Sequence, residues 1–397
     1  MDLDLVFLGT SASMPTAQRA PAAFLLRRGG ERLLFDCAEG TQRQLQRSTA
    51  GLPDLEEIFL THFHADHVLG LPGMLKTFAL RGRGELALTV YGPVGVRVLF
   101  AKLRPLVGRL PYPLTIVELA PGETLERGEY RLETFAVDHG VAALGYALVE
   151  QPRPGRFDVA AADALGVPDG EARGLLQRGE PLTLADGAVV TPDEVLGPPR
   201  PGRKIVLTGD SAPSPSVVQA AYQADLLLHE ATFSEEEKAR ARDTLHATAA
   251  DAAEVAKLAD VRVLALTHVS SRYFGPELAR EAREVFPETI VPRDFDLVEV
   301  PFPERGPPQL VKAGGRPERR RPRMIASMNR MVQVAVAGDV TEAEELQEML
   351  RNAGIEATVA QAPEDDAVAV FVPDSELEAA QDAIEVLSEP GDIIAEP

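Results

Sequence analysis

Three of the seven histidines in this 397-residue chain fall within six positions, in the run His62-Phe63-His64-Ala65-Asp66-His67. Three imidazoles and a carboxylate at that density offer borderline nitrogen ligands with one hard oxygen, the donor set taken by zinc and at times by manganese or iron. Residues two apart in an extended segment point the same way, so His62 and His64 can share one ion, while Asp66 and His67 face a second position. Two ions ~3.5–4 Å apart need a common ligand and further nitrogens from elsewhere in the chain. Three other segments carry such groups: His139 in Val137-Asp138-His139-Gly140, Asp210 in Thr208-Gly209-Asp210-Ser211 and His268 in Leu266-Thr267-His268. Singly, each has an ordinary reading, as a surface histidine or a turn-capping aspartate. Gathered around one cluster, they read as a ligand set.

The elements that must position these groups alternate. Strands are expected at Glu57–Thr61, Ala87–Tyr91, Leu114–Glu118, Arg131–Val137, Lys204–Thr208, Ala224–Glu230 and Val261–Thr267. Helices are expected at Ala38–Ser48, Gly95–Leu106, Ser214–Ala221 and Ala247–Ala259. Before them, Arg28-Gly29-Gly30-Glu31 predicts a hairpin between Ala23–Arg27 and Arg32–Asp36. Such alternation makes a layered α/β fold, and His62, His139, Asp210 and His268 each sit just past a strand end, where layered folds build sites.

Two stretches break the rhythm. Residues 150–203 are rich in proline and glycine, with helical signal only near Val159–Ala164 and Glu171–Arg178, and read as an inserted arm. Residues 303–330 form a basic, proline-rich linker containing Arg316-Pro317-Glu318-Arg319-Arg320-Arg321-Pro322-Arg323. The expected organisation is therefore a body over 1–302 carrying the arm, the linker, and a small α+β module over 331–397. That module reads as βαββα, in a ferredoxin-like order, with strands at Met331–Ala337, Ile355–Ala360 and Ala367–Val372 and helices at Thr341–Asn352 and Asp374–Leu387.

Charge separates the same regions. The chain carries a net −21, but residues 331–397 hold 17 acidic side chains against Arg351 alone. Their net of −16 leaves only −5 on the first 330 residues, so the body is not barred from a phosphate-rich partner. The module's acidity would repel RNA and favours a protein partner. A mean hydropathy of −0.06 describes a globular protein, and no apolar run approaches the ~20 residues of a membrane helix. The opening Met1-Asp2-Leu3-Asp4 is acidic where a secretory leader is basic, so the expected location is cytoplasmic. Cys37, the single cysteine, excludes an internal disulfide and a thiolate metal site, and reads as a small buried hydrophobe.

The order His-x-His-x-Asp-His, then His, Asp and His, resembles the metallo-β-lactamase superfamily. Further segments narrow the resemblance to its ribonuclease Z family over roughly Leu5 to Phe302. They are Phe7-Leu8-Gly9-Thr10-Ser11 with Pro15, Thr16 and Arg19; Phe35-Asp36-Cys37-Ala38-Glu39-Gly40-Thr41-Gln42; Gly70-Leu71-Pro72-Gly73; His229-Glu230-Ala231-Thr232-Phe233; and Thr267-His268-Val269-Ser270-Ser271-Arg272-Tyr273. The arm departs from the family, reading Gly166-Val167-Pro168-Asp169-Gly170-Glu171 where a Gly-Pro pair is usual.

The resemblance implies an αβ/βα sandwich with two zinc ions per subunit, manganese or iron being substitutes. His62, His64 and His139 would hold one ion, Asp66, His67 and His268 the other, with Asp210 bridging. It implies an endonuclease that removes the 3′ trailer of precursor tRNA, leaving a 3′ hydroxyl, and a homodimer. Asp66 would take the proton of the attacking water. His246, steadied by Glu230, would protonate the leaving oxygen. His229 would pack beside the site without ligating. Arg272 near the metals, with Arg153, Arg156, Arg173 and Arg178 of the arm, would hold the RNA backbone. Two rivals stand beside this reading: a phosphodiesterase of small esters with the same ligands, and a catalytically inactive RNA-binding or regulatory protein. The module resembles small prokaryotic signal-transducing domains.

Overall fold

The computed structural model describes residues 1–313, apart from 53, 54 and 85, and short stretches between 331 and 380. Two compact units result, Met1–Pro317 and Glu318–Pro397.

The first unit is built on two sheets. One runs, from edge to edge, Gln309–Val311, Leu297–Glu299, Leu3–Gly9, Ala23–Arg28, Glu31–Phe35, Glu57–Phe59, Leu88–Pro93 and Leu114–Leu119, and is parallel from Glu31–Phe35 onward. The other runs Thr289–Ile290, Val263–Thr267, Leu226–Glu230, Lys204–Leu207, Leu144–Glu150, Tyr130–Ala136 and Thr124–Glu126, with its first four strands parallel. Alternate side chains go to opposite faces. Leu5, Phe7, Phe24, Leu33 and Phe35 of the first sheet meet Tyr146, Ile205, Leu207, Leu226 and Leu228 of the second in the central core. The intervening Val6, Leu8, Leu25 and Leu34 face Leu45, Leu71, Met74 and Phe78 on helices outside the first sheet. Val206, Leu227 and Leu264 likewise face Val217, Ala252 and Leu278 outside the second. Both sheets are thus buried on two faces, which is why their parallel strands read as continuous apolar runs. The expected α/β sandwich is the fold found.

Local differences have local causes. The helix expected from Ala38 starts at Thr41, because Gly40 turns the chain through φ 78° first. Helices Leu71–Leu80 and Gly275–Val285 had no counterpart in the expectations. Each carries a proline in its first turn, where the missing N–H costs nothing, though in sequence a proline reads as a break.

The arm is a small folded lobe. Helices Val159–Ala164 and Glu171–Gln177 and a hairpin of Leu182–Thr183 with Val189–Val190 enclose Ala162, Val167, Leu176, Val190 and Val195. A buried ion network anchors its root. Glu150 Oε1 accepts from Arg28 Nε at 2.9 Å and Arg203 Nη2 at 2.7 Å, and Oε2 accepts from Arg203 Nε at 2.7 Å. Burial alone would raise the Glu150 pKa, but the two arginines hold it below the usual range.

The first unit continues past Phe302, since Gln309–Val311 pairs with Leu297–Glu299. In the second unit Met331–Ala337 and Thr358–Gln361 flank Val368–Pro373 in an antiparallel sheet. The helices expected at Thr341–Asn352 and Asp374–Leu387 lie mostly outside the described residues. Among the described residues no helix is long and apolar enough to cross a membrane.

Candidate metal centre

At one end of the sandwich the strands of both sheets stop together, and the chain turns sharply to aim polar side chains into the gap. Asp36 follows Glu31–Phe35 and His268 follows Val263–Thr267, and both take left-handed backbone angles, φ 57° and 56°. Non-glycine residues rarely adopt that region, and its occurrence twice at one strand-end rim fits a site that the surrounding fold over-determines. Gly209 precedes Asp210 with φ 63°, and a Cβ there would stand 2.8 Å from Thr61 Cβ, so only glycine lets the Asp210 loop come this close.

The seven groups read from the sequence as ligands converge. Donor atoms of His62, His64 and His139 lie within 4.8 Å of one another, as do those of Asp66, His67, Asp210 and His268. Asp210 Oδ2 lies between the two sets, 3.4 Å from His67 Nε2 and 3.3 Å from His268 Nε2 on one side. On the other it is 3.9 Å from His62 Nε2 and 3.8 Å from His139 Nε2. Asp66 Oδ2 faces the second set only, 3.3 Å from His268 Nε2 and 3.7 Å from His67 Nε2.

These residues fit a pair of divalent cations on the strength of their own valences. His62 Nε2 and His67 Nε2 are buried without a hydrogen-bond partner, a costly state for a polar atom. Their second nitrogens are held from behind. His67 Nδ1 is 2.8 Å from Asp36 Oδ2, and His62 Nδ1 is 3.0 Å from Thr61 Oγ, which itself donates to Asp36. His139 Nδ1 is 3.2 Å from the carbonyl of Leu245, a residue in the left-handed region. Rings oriented in this way present the remaining nitrogen to a metal.

Electrostatics agree. Burial, then His67, pushes His62 down to about 2, so it stays neutral, as a ligand must. Burial opposes a charge on His67, but Asp210 and Asp36 outweigh it and raise its pKa, so an entering cation displaces a proton there. Burial would raise Asp66 and Asp210 too; His268 and His67 instead hold both carboxyls ionised.

Beside the cluster, the His246 ring stacks 5.4 Å from that of His268, and its Nδ1 is 2.7 Å from Glu230 Oε1. Burial works against its charge, yet Glu230 and then Asp210 raise it to about 9. His229 is buried with Nδ1 on the Glu230 carbonyl at 2.8 Å and belongs to none of the metal-binding groups.

The arginines are placed differently. Arg272 lies over the Phe233 ring at 5.3 Å and 3.3 Å from Glu237, and Phe233 in turn stands 6.1 Å from His246. Arg173 turns into the arm, bonded to Asp163 at 2.5 Å and Asp169 at 3.0 Å. Arg178 is exposed beside Glu180. Sequence reasoning assigned no role to Asp36, Thr61 or Thr232, which orient the ligands. Asp36 and Thr232 were present only as members of the segments Phe35–Gln42 and His229–Phe233, and Thr61 only as the end of an expected strand.

The comparisons with known proteins agree with this geometry. A family model described as a β-lactamase superfamily domain matches residues 31–269. "Ribonuclease Z" of Haloferax volcanii is 46% identical over 76% of this chain and 96% of its own length. "Ribonuclease Z" of Gemmatimonas aurantiaca is 47% identical over 77% of this chain and 98% of its own. Among solved structures, human tRNase Z, short form, superposes with a TM-score of 0.55 at 27% identity, covering 75% of this chain and 99% of that one. Such identity, across nearly the whole length of those relatives and on a scaffold whose strand ends gather seven side chains able to hold metal, has one meaning: the chain belongs to the ribonuclease Z family of the β-lactamase superfamily.

Proposed function

We propose that this chain is a metal-dependent endoribonuclease that removes the 3′ trailer from tRNA precursors and leaves a 3′ hydroxyl on the tRNA. The observation that carries the reading is the convergence of both ligand sets on Asp210 with the His246–Glu230 pair alongside. His62, His64 and His139 would hold one cation and Asp66, His67 and His268 the other, with Asp210 between them. Zinc suits the nitrogen-rich set best. When bound, two divalent cations acidify a shared water and screen the charge of the phosphodiester.

The chain's own residues handle the protons. Asp66, ionised and the more exposed of the two carboxylates, accepts the proton of the attacking water. His246 carries a proton at neutral pH, and with Nδ1 committed to Glu230 it offers Nε2–H to the leaving oxygen. Core side chains Phe24, Phe35, Leu207 and Leu228 floor the site and keep its dielectric low, which strengthens every charge interaction above. Arg272, near the proton donor, contacts a backbone phosphate. Arg178 is the arm's outward cation toward RNA, and Arg173 acts by holding the arm together. The family's dimeric assembly and cytoplasmic location are carried over, and the acidic module over 331–397, resembling signal-transducing domains, is assigned a protein partner.

One observation favours the small-diester reading. From Asp158 to Leu196 the arm has eight acidic residues and two arginines, little charge with which to attract RNA. Cleavage of a 3′-extended tRNA precursor with added zinc or manganese decides between them. The expected result is a cut next to the discriminator base, lost in Asp66→Ala. An intact precursor alongside hydrolysed bis-p-nitrophenyl phosphate would replace the tRNA reading with the small-diester one. A protein that binds no metal and cuts neither substrate would support the inactive reading.

A further inference from the structure

The Glu230 carboxylate has more partners than the steadying of His246 requires. Besides His246 Nδ1, its Oε1 accepts from the Ser211 amide at 3.0 Å. Its Oε2 accepts from the Thr232 hydroxyl at 2.6 Å and the Thr232 amide at 3.2 Å. Thr232 Oγ then lies 2.8 Å from His268 Nδ1. A threonine hydroxyl has one proton, and an ionised carboxylate only accepts. The short contact to Glu230 takes that proton, so the lone pairs of Oγ face the imidazole and His268 Nδ1 must be the donor. Nδ1 therefore keeps its proton, and Nε2, the atom 3.3 Å from Oδ2 of both Asp66 and Asp210, is the nitrogen whose pair becomes free when a cation displaces the proton shared with those carboxylates.

The backbone holds Thr232 for this contact. On one side the Ala231 amide donates to the Thr267 carbonyl at 2.8 Å, tying the segment to the residue before His268. On the other, Phe233 exchanges hydrogen bonds with Ala247 and Ala249, on either side of Thr248 and just beyond His246.

We propose that Thr232 is a positioning residue of the second ion's site: it sets the tautomer of His268 and, through Glu230, ties that ligand to the proton donor His246. The inference rests on reading the cluster as a two-metal site. A valine at 232 keeps the shape but cannot accept from Nδ1–H, so the ring loses what fixes its tautomer and angle.

The test is a Co2+ titration of chelator-treated full-length protein, followed by equilibrium dialysis and visible absorption, for wild type, Thr232→Val and Thr232→Ser. Wild type should bind two equivalents. Thr232→Val should keep one site at wild-type affinity and weaken the other about 10–100-fold, and serine should restore it. Thr232→Val binding both ions as wild type does would overturn the inference, whereas wild type binding fewer than two would overturn the two-metal reading beneath it. Nitrogen-15 chemical shifts of His268 in zinc-loaded wild type need no variant. An Nδ1–H tautomer is expected, and an Nε2–H tautomer overturns the assignment.

Discussion

At the scale of single residues, the site works because neighbouring groups of the same type are placed in opposite electrostatic settings. His62 is buried among other imidazoles and held neutral, whereas His246, only part-buried and bonded to Glu230, is held protonated. The proposed ligand and the proposed acid are thus one side-chain type in two settings. The sign of the pH dependence follows. In the proposed acid's role His246 donates only in its charged form, so cleavage should be present below its pKa and lost as pH rises through it. Glu230→Gln removes the main charge that raises this pKa, and burial already pulls it down, so the alkaline limb of kcat/KM on precursor tRNA should move to lower pH. A limb that stays in place would remove His246 from the acid's role. His246→Ala should slow precursor cleavage about 10²–10⁴-fold, while bis-p-nitrophenyl phosphate, whose leaving group departs unprotonated, should be hydrolysed nearly as before.

At the scale of elements, strand ends deliver the ligands and the arm root is the joint that holds the insertion to the body. Arg203, 2% exposed, fills that joint with two bonds to Glu150 and one to the Val300 carbonyl at 3.0 Å. Arg203→Met leaves Arg28 to pair with Glu150, and Oε2 keeps the residue-203 amide at 3.2 Å but no cation. The expected cost is about 3 kcal/mol, the low end for breaking a buried pair because Arg28 remains, seen as a lower urea midpoint of the full chain. An unchanged midpoint would mean that Arg28 alone satisfies the carboxylate. The strands that bear ligands were legible in the sequence as apolar runs bounded by turns. Leu71–Leu80 and Gly275–Val285 were not, because proline at a helix start and proline as a breaker are one letter. The arm's two helices were legible, but the use of Arg173 was not: it serves Asp163 and Asp169 inside the lobe.

At the scale of the whole molecule, chemistry and charge are separated along the chain. Among the described residues, every group able to hold a metal lies in Met1–Pro317, while the acidic excess lies beyond residue 330. Ending the chain after Pro317 should therefore leave cleavage of precursor tRNA intact when rates are compared with the full chain. Loss of that activity, with bis-p-nitrophenyl phosphate hydrolysis retained, would instead give the acidic module a part in substrate binding.

By itself the sequence named the seven side chains that the structure brings together, because donor types and their places after apolar strands are local properties that spacing records. It also determined the layered α/β class, since burial on both sheet faces writes continuous apolar runs into the chain. Only the tertiary structure decided how those groups meet. Asp210 Oδ2 between two sets of histidines, Asp36 behind His67 at a separation of 31 residues and Thr232 behind His268 at 36 are consequences of strand order and of left-handed turns at strand ends. Neither strand order nor a single φ leaves a periodic trace, so the outer partners that orient the metal site stay silent until the two sheets are packed together.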